Sequence, residues 1–231
     1  LATQVWAQTD IKTYPANSYS HSSAYDSKRG LSFLCNLGEG KVHIYKINGG
    51  GMVDVGSINL PFARSAVYDA TFEKLYVATE ERVSTSGFVK IYQVNSVSAT
   101  SYTATQVGSV TIGTKGSDLK INHAMNYLAV GIREAGQQKV TMVPLTTTGT
   151  VNMDRTNYQI PTAGLSPRSL QVSDNGHYLF VTPSDTGIAK DLQVYRFGYD
   201  AMGAITSHTK VADVDAGNES FIANYSLDIW E

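Results

Sequence analysis

The chain reads as an all-β fold built from repeated four-stranded units, and three observations predict it. One strand-like pattern recurs as "KVHIYKI" (41–47), "FVKIYQV" (88–94), "KVTMVPL" (139–145) and "DLQVYRF" (191–197), and again at the end as "NYSLDIWE" (224–231). Two further patterns recur in step with it, one before and one after. Helical periodicity is absent throughout.

The earlier pattern is a strand, a turn and an alternating strand. It reads "AYDSKRGLSFLCNL" (24–37), "VYDATFEKLYVATE" (67–80), "INHAMNYLAVGI" (121–132) and "VSDNGHYLFVTP" (172–183). Asp174-Asn175-Gly176 supplies turn chemistry, because Asn and Gly tolerate positive φ. Asp26 and Asp69 occupy the same turn. The later pattern is a fourth strand: "MVDVGSINLP" (52–61), "TQVGSVTIG" (105–113), "NYQIPTAG" (157–164) and "KVADVDAG" (210–217). Four short antiparallel strands recurring every ~40–50 residues describe the blades of a small β-propeller. About five blades are expected, at 17–61, 62–113, 114–164, 165–215, and 216–231 with 1–16. The last unit is abbreviated. "TQVWAQTDIKTYP" (3–15) matches the fourth-strand pattern, so the N-terminal strand is expected to close the last blade and remove two open edges. The alternative is a chain cut from a longer propeller; the start at Leu1 without methionine suits a processed product, a fragment or an excised domain.

Composition narrows the function. The chain has 231 residues, 42% hydrophobic, 16% charged, with a net charge of −2. Nucleic acid binding wants a basic patch, and the net charge of −2 gives no reason to expect one. No apolar run reaches the ~18–20 residues that span a bilayer, so no membrane insertion is expected. The single cysteine, Cys35, lies in an apolar strand and reads as an inert core residue.

"SPRSLQVSDNGHYLFVTPSD" (166–185) resembles the YVTN, lactonase-like branch of the WD40-type propellers, which typically reads Pro-Arg, apolar strand, Ser-x-Asp-Gly, then a Leu-Tyr-Val strand. "ARSAVYDATFEKLYVATE" (63–80) is similar but lacks the glycine. The resemblance implies the propeller fold. It also implies acid–base groups at the channel mouth, for which His21, Arg64, Glu80, Arg168 and Glu219 are the cast. The family's enzymes resemble seven-bladed rings with longer chains.

Alignment on Leu75 and Leu179 puts Arg64-Ser65 and Arg168-Ser169 in equivalent places. The same offset gives Ser20 with His21 adjacent, and Ser117 with Asp118 adjacent. The loop before the fifth unit supplies Glu219. The candidate ligand-binding mouth is therefore His21, Arg64, Asp118, Arg168 and Glu219. Two guanidiniums there could fork onto a carboxylate, sulfate or phosphate, or each could pair with an acidic neighbour and stitch blades together. "DVDAGNE" groups Asp213, Asp215, Asn218 and Glu219, oxygen donors of the kind calcium takes, or an ordinary acidic turn. The five histidines are scattered and give no zinc spacing.

Of the 14 tyrosines, those on strands are expected to pack between blades. The loop aromatics Tyr14, Tyr19, Phe62, Tyr102, Tyr158 and Tyr199 are candidates for stacking on sugars, helped by Ser/Thr-rich loops at 81–87, 95–105 and 145–157. No nucleophile elbow or phosphate loop is present. The residues thus predict a non-catalytic recognition module, an extracellular or virion-surface head that attaches to a cell-surface receptor, glycan or protein partner. The alternatives are a lactonase-like hydrolase at the channel mouth and a protein-binding scaffold.

Overall fold

Strong alternation and tight turns give four meanders, each an antiparallel sheet of four strands. The computed structural model describes residues 20–48, 51–80, 87–98, 100–113, 115–183 and 192–214. Blade 1 comprises β1 (Ser20–Asp26), β2 (Leu31–Asn36), β3 (Lys41–Asn48) and β4 (Gly51–Asn59). Blade 2 comprises β5 (Ala63–Asp69), β6 (Lys74–Thr79), β7 (Gly87–Ser98) and β8 (Ser101–Gly113). Blade 3 comprises β9 (Gly116–Asn122), β10 (Tyr127–Ile132), β11 (Lys139–Pro144) and β12 (Tyr158–Pro161). Blade 4 comprises β13 (Pro167–Val172), β14 (Tyr178–Pro183), β15 (Leu192–Tyr199) and β16 (Ile205–Val214). Each strand pairs with its sequence neighbour. No helix occurs among the described residues. The first strands pack in succession, β1 on β5, β5 on β9 and β9 on β13, so they form the inner row of a propeller. The expected fifth blade and its closure by the N-terminal strand lie outside the described residues.

The core sits between blades. β10 reads "YLAVGI" without a polar break, because both of its faces are covered. Leu128, Val130 and Ile132 face Tyr76, Ala78, Val89 and Ile91 of blade 2. Tyr127 and Ala129 face Leu170, Leu179 and Val181 of blade 4. Phe33, Val42 and Ile44 meet Leu75, Val77 and Tyr92 between blades 1 and 2. Burying one such large apolar side chain is worth about 1.5–3 kcal/mol. Cys35 belongs to this last cluster, and burial pushes its thiol up to about 12.

Polar turn residues close the inner hairpins. Asp69 Oδ1 accepts from Thr71 N at 2.8 Å and Phe72 N at 2.7 Å. Asn122 Oδ1 accepts from Met125 N at 3.1 Å, and Ser173 Oγ from Tyr178 N at 3.0 Å. Gly176 ends the Asp-Asn-Gly turn with φ 74°. Asn122 Nδ2 also donates to Gly176 O of the next blade at 2.9 Å, so this turn links blades as well.

Two expectations about loops are corrected. Most of the Ser/Thr-rich run 95–105 is hairpin: β7 and β8 pair out to Ser98 and Ser101. Tyr102 is buried rather than presented to solvent, since its backbone carbonyl approaches Gly56 of blade 1 so closely that a Cβ there would come within 2.4 Å. Tyr158 and Tyr199 are likewise engaged. Tyr158 Oη contacts His208 Nδ1 at 2.9 Å, and Tyr199 Oη donates to Gly176 O at 2.7 Å. Tyr14 and Tyr19 lie outside the described residues.

Candidate functional site

The inner strand of every blade carries a bulge at the same end. In β1, Ser20 pairs with Asn36 and Ser22 with Cys35, leaving His21 as the extra residue. In β5, Ala63 pairs with Thr79 and Ser65 with Ala78, leaving Arg64. In β13, Pro167 pairs with Pro183 and Ser169 with Thr182, leaving Arg168. In β9, Gly116 pairs with Ile132 and Leu119 with Val130, so Ser117 and Asp118 share Gly131. A bulge adds a residue to one strand and re-aims its side chain, and bulges gather at rims and beside active sites. Pairing therefore puts His21, and not Ser20, in register with Arg64 and Arg168.

Arg64 pairs with an acidic residue of its own blade. Its Nη1 binds Glu80 Oε2 at the end of β6, in the same blade. The two side chains are only 8% and 9% exposed, which makes this a buried ion pair. The strand pairing brings them together, and Glu80 N is fixed by donation to Phe62 O at 2.9 Å. The Glu80 backbone pairs with that of Lys115 as an isolated antiparallel bridge, and Lys115 Nζ lies 3.5 Å from Glu134 Oε2. Low dielectric strengthens the Arg64–Glu80 pair and makes an unpaired charge there costly.

Asp118 sits between Arg64's strand and Arg168's strand. Its Oδ1 accepts from Ser65 Oγ at 3.3 Å, and its Oδ2 from Leu170 N at 2.8 Å. Burial raises its carboxyl above the ordinary value, against the pull of these donors, Leu119 N and Lys120. Arg168 is half-buried at its bulge. Glu219, Asp215 and Asn218 lie outside the described residues. Asp213 is at the end of β16, the outermost strand of blade 4, where its Oδ2 is 2.7 Å from Lys210 Nζ. The rest of that sheet separates it from the inner strands. Among the described residues, no group of three or more His, Cys, Asp or Glu is arranged to hold a metal ion.

The sequence reading reached Ser117 by its offset and passed over Lys115 and Glu134. The last two could be found only once Lys115 is paired opposite Glu80.

A family profile described as lactonase, 7-bladed beta-propeller, matches residues 3–218. No curated protein matches the chain. Among solved structures, a candidate 6-phosphogluconolactonase of Bacteroides uniformis is similar, with TM-score 0.66 and 15% identity over 86% of this chain and 56% of that one. A second, from Bacteroides fragilis, gives 0.66 and 18% over 91% and 59%. A periplasmic gluconolactonase of Pseudomonas aeruginosa gives 0.66 and 16% over 89% and 57%. The chain thus spans 56–59% of the length of these relatives. The family match overturns the expectation of a receptor- or glycan-attachment head and of a virion spike. That expectation leaned on polar loops and loop aromatics, of which most of the run 95–105 forms a hairpin and Tyr102, Tyr158 and Tyr199 are engaged within the fold.

Proposed function

The chain belongs to the lactonase family of seven-bladed β-propellers, and on that premise we propose that it is a lactone hydrolase acting at the bulged end of its inner strands. The observation that carries the proposal is the buried Arg64–Glu80 pair. Hydrolysis of a lactone needs an attacking water, donors for the carbonyl oxygen as it becomes an oxyanion, and a proton for the departing ring oxygen. Guanidiniums on two bulges, Arg64 and Arg168, supply forked donors suited to an oxyanion or to the carboxylate product. Glu80 is the carboxylate paired with Arg64, which orients it, and it would take the proton from water. By backbone register His21 falls level with both arginines, and it would be the remaining acid–base group.

The substrate class under this reading is a sugar-acid lactone, the type named for the relatives in Bacteroides and Pseudomonas. An exported location accompanies it, supported by the periplasmic relative. No helix among the described residues is long and apolar enough to cross a membrane.

The test is acid release from glucono-δ-lactone and 6-phosphogluconolactone by the full chain, corrected for spontaneous opening. Turnover that falls at least ~100-fold in Arg64→Met is expected, the size of effect that removing one oxyanion donor has. A wild-type rate no faster than the spontaneous one on both lactones sinks the proposal.

A further inference from the structure

Blade 3 departs from its neighbours at the residue following the bulge. Blades 1, 2 and 4 carry Ser22, Ser65 and Ser169 there, whereas blade 3 carries Asp118. A serine hydroxyl is short. Ser22 Oγ reaches one neighbouring strand, accepting from Ala66 N at 3.4 Å. A carboxylate is one bond longer and has two acceptor oxygens. Asp118 uses both, one toward Ser65 of blade 2 and one toward Leu170 N of blade 4.

Ser117 grips the same neighbour. Its hydroxyl donates to Pro167 O at 2.7 Å. The two contacts fall on either side of Arg168: Pro167 precedes it, and Leu170 follows Ser169. A bulge interrupts the ladder of its own sheet, so the backbone around Arg168 takes part of its support from blade 3. On the other side, Ser65 is the residue next to Arg64.

We propose that Ser117 and Asp118 are positioning residues, which hold the Arg168 bulge at a fixed spacing from Arg64 so that both guanidiniums can meet one anionic group. The inference rests on the hydrolase reading above and adds to it the device that sets the geometry. Neither residue needs to touch substrate. A displacement of about 1 Å in a positioned group can cost ~100-fold in rate, so two hydrogen bonds to the backbone beside Arg168 have leverage on turnover out of proportion to their share of stability.

The experiment is a double-mutant cycle on the full chain: wild type, Asp118→Asn, Arg168→Ala and the double variant. Ser117→Ala is a milder second probe that removes one contact only. The readouts are kcat and KM on the hydrolysed lactone, the Kd of gluconate by calorimetry, and the thermal midpoint. Asp118→Asn is expected to lower kcat roughly tenfold or more with KM within about twofold, a fraction of the full misplacement penalty. In the Arg168→Ala background it should change kcat little, because the group it positions is gone. Independent, multiplying effects of the two substitutions would overturn the inference. So would loss of thermal stability with unchanged kcat in both Asp118→Asn and Ser117→Ala. If the wild type turns over no lactone, the hydrolase reading fails by itself, and the same cycle is read on gluconate Kd. Absence of gluconate binding as well overturns both.

Discussion

Ser117 and Gly131 share one space: a Cβ on Gly131 would stand 2.4 Å from Ser117 Oγ and 3.2 Å from Pro167 Cβ. The Ser117–Pro167 hydrogen bond exists because the residue opposite the β9 bulge has no side chain. Gly131→Ala must therefore push Ser117 away or open the junction of blades 3 and 4. A loss of about 1–3 kcal/mol is expected from such overpacking. For a chain of this size that is roughly 2–4 °C per kcal/mol in the thermal midpoint. An unchanged midpoint would show that the junction is looser than the geometry says.

The Arg64–Glu80 pair separates stability from turnover. Removing one partner of a buried pair leaves the other uncompensated and costs about 3–5 kcal/mol, whereas an apolar pair of similar volume can be nearly neutral. Arg64→Met and Glu80→Leu should each lower the urea midpoint more than the double variant does. Activity should be lost in all three. Recovered stability with recovered activity in the double variant would place the chemistry elsewhere.

Asp118 gives a signed pH effect. Its carboxyl is raised above the ordinary 3.8 by burial. The native state thus binds that proton more tightly than the unfolded chain. Stability from this group falls as pH rises from the ordinary carboxylate value through the raised native one, and is flat above it. Asp118→Asn should remove that slope, as read from urea midpoints at a series of pH values. Identical slopes in the two proteins would contradict the assignment.

Asn122 works in two blades at once. Its side chain is 2% exposed, caps its own turn at Met125 N and donates to Gly176 O of blade 4. Asn122→Asp can keep the cap but cannot donate, so it isolates the link between blades. A loss of about 0.5–1.5 kcal/mol is expected from the lost hydrogen bond, since Tyr199 Oη still donates to Gly176 O. A midpoint equal to wild type would mean that Tyr199 Oη alone satisfies Gly176 O.

Much of the fold is written in local pattern. The period-2 alternation and the Asp, Asn and Ser at the inner turns mark β1, β5, β9 and β13 and their partners without tertiary information. The uninterrupted "YLAVGI" of β10 is explained only when both neighbouring blades are in place. The site is less legible. A bulge leaves no trace in composition, so an offset counted along the chain lands on Ser20, where pairing selects His21. Arg64 and Glu80 are 16 residues apart, and only the β5–β6 register brings them into contact. Tyr102 lies in a Ser/Thr-rich run that reads as loop, and cross-strand pairing of β7 with β8 overrides that local polarity.

The most direct test of the central claim is pH-stat turnover of glucono-δ-lactone by the full chain, wild type against Glu80→Gln, compared at equal folded fraction. The account predicts a wild-type rate well above spontaneous opening, and a drop of at least ~100-fold in the variant, the usual scale for a positioned acid–base group. Equal rates in the two proteins, with both folded, would contradict it.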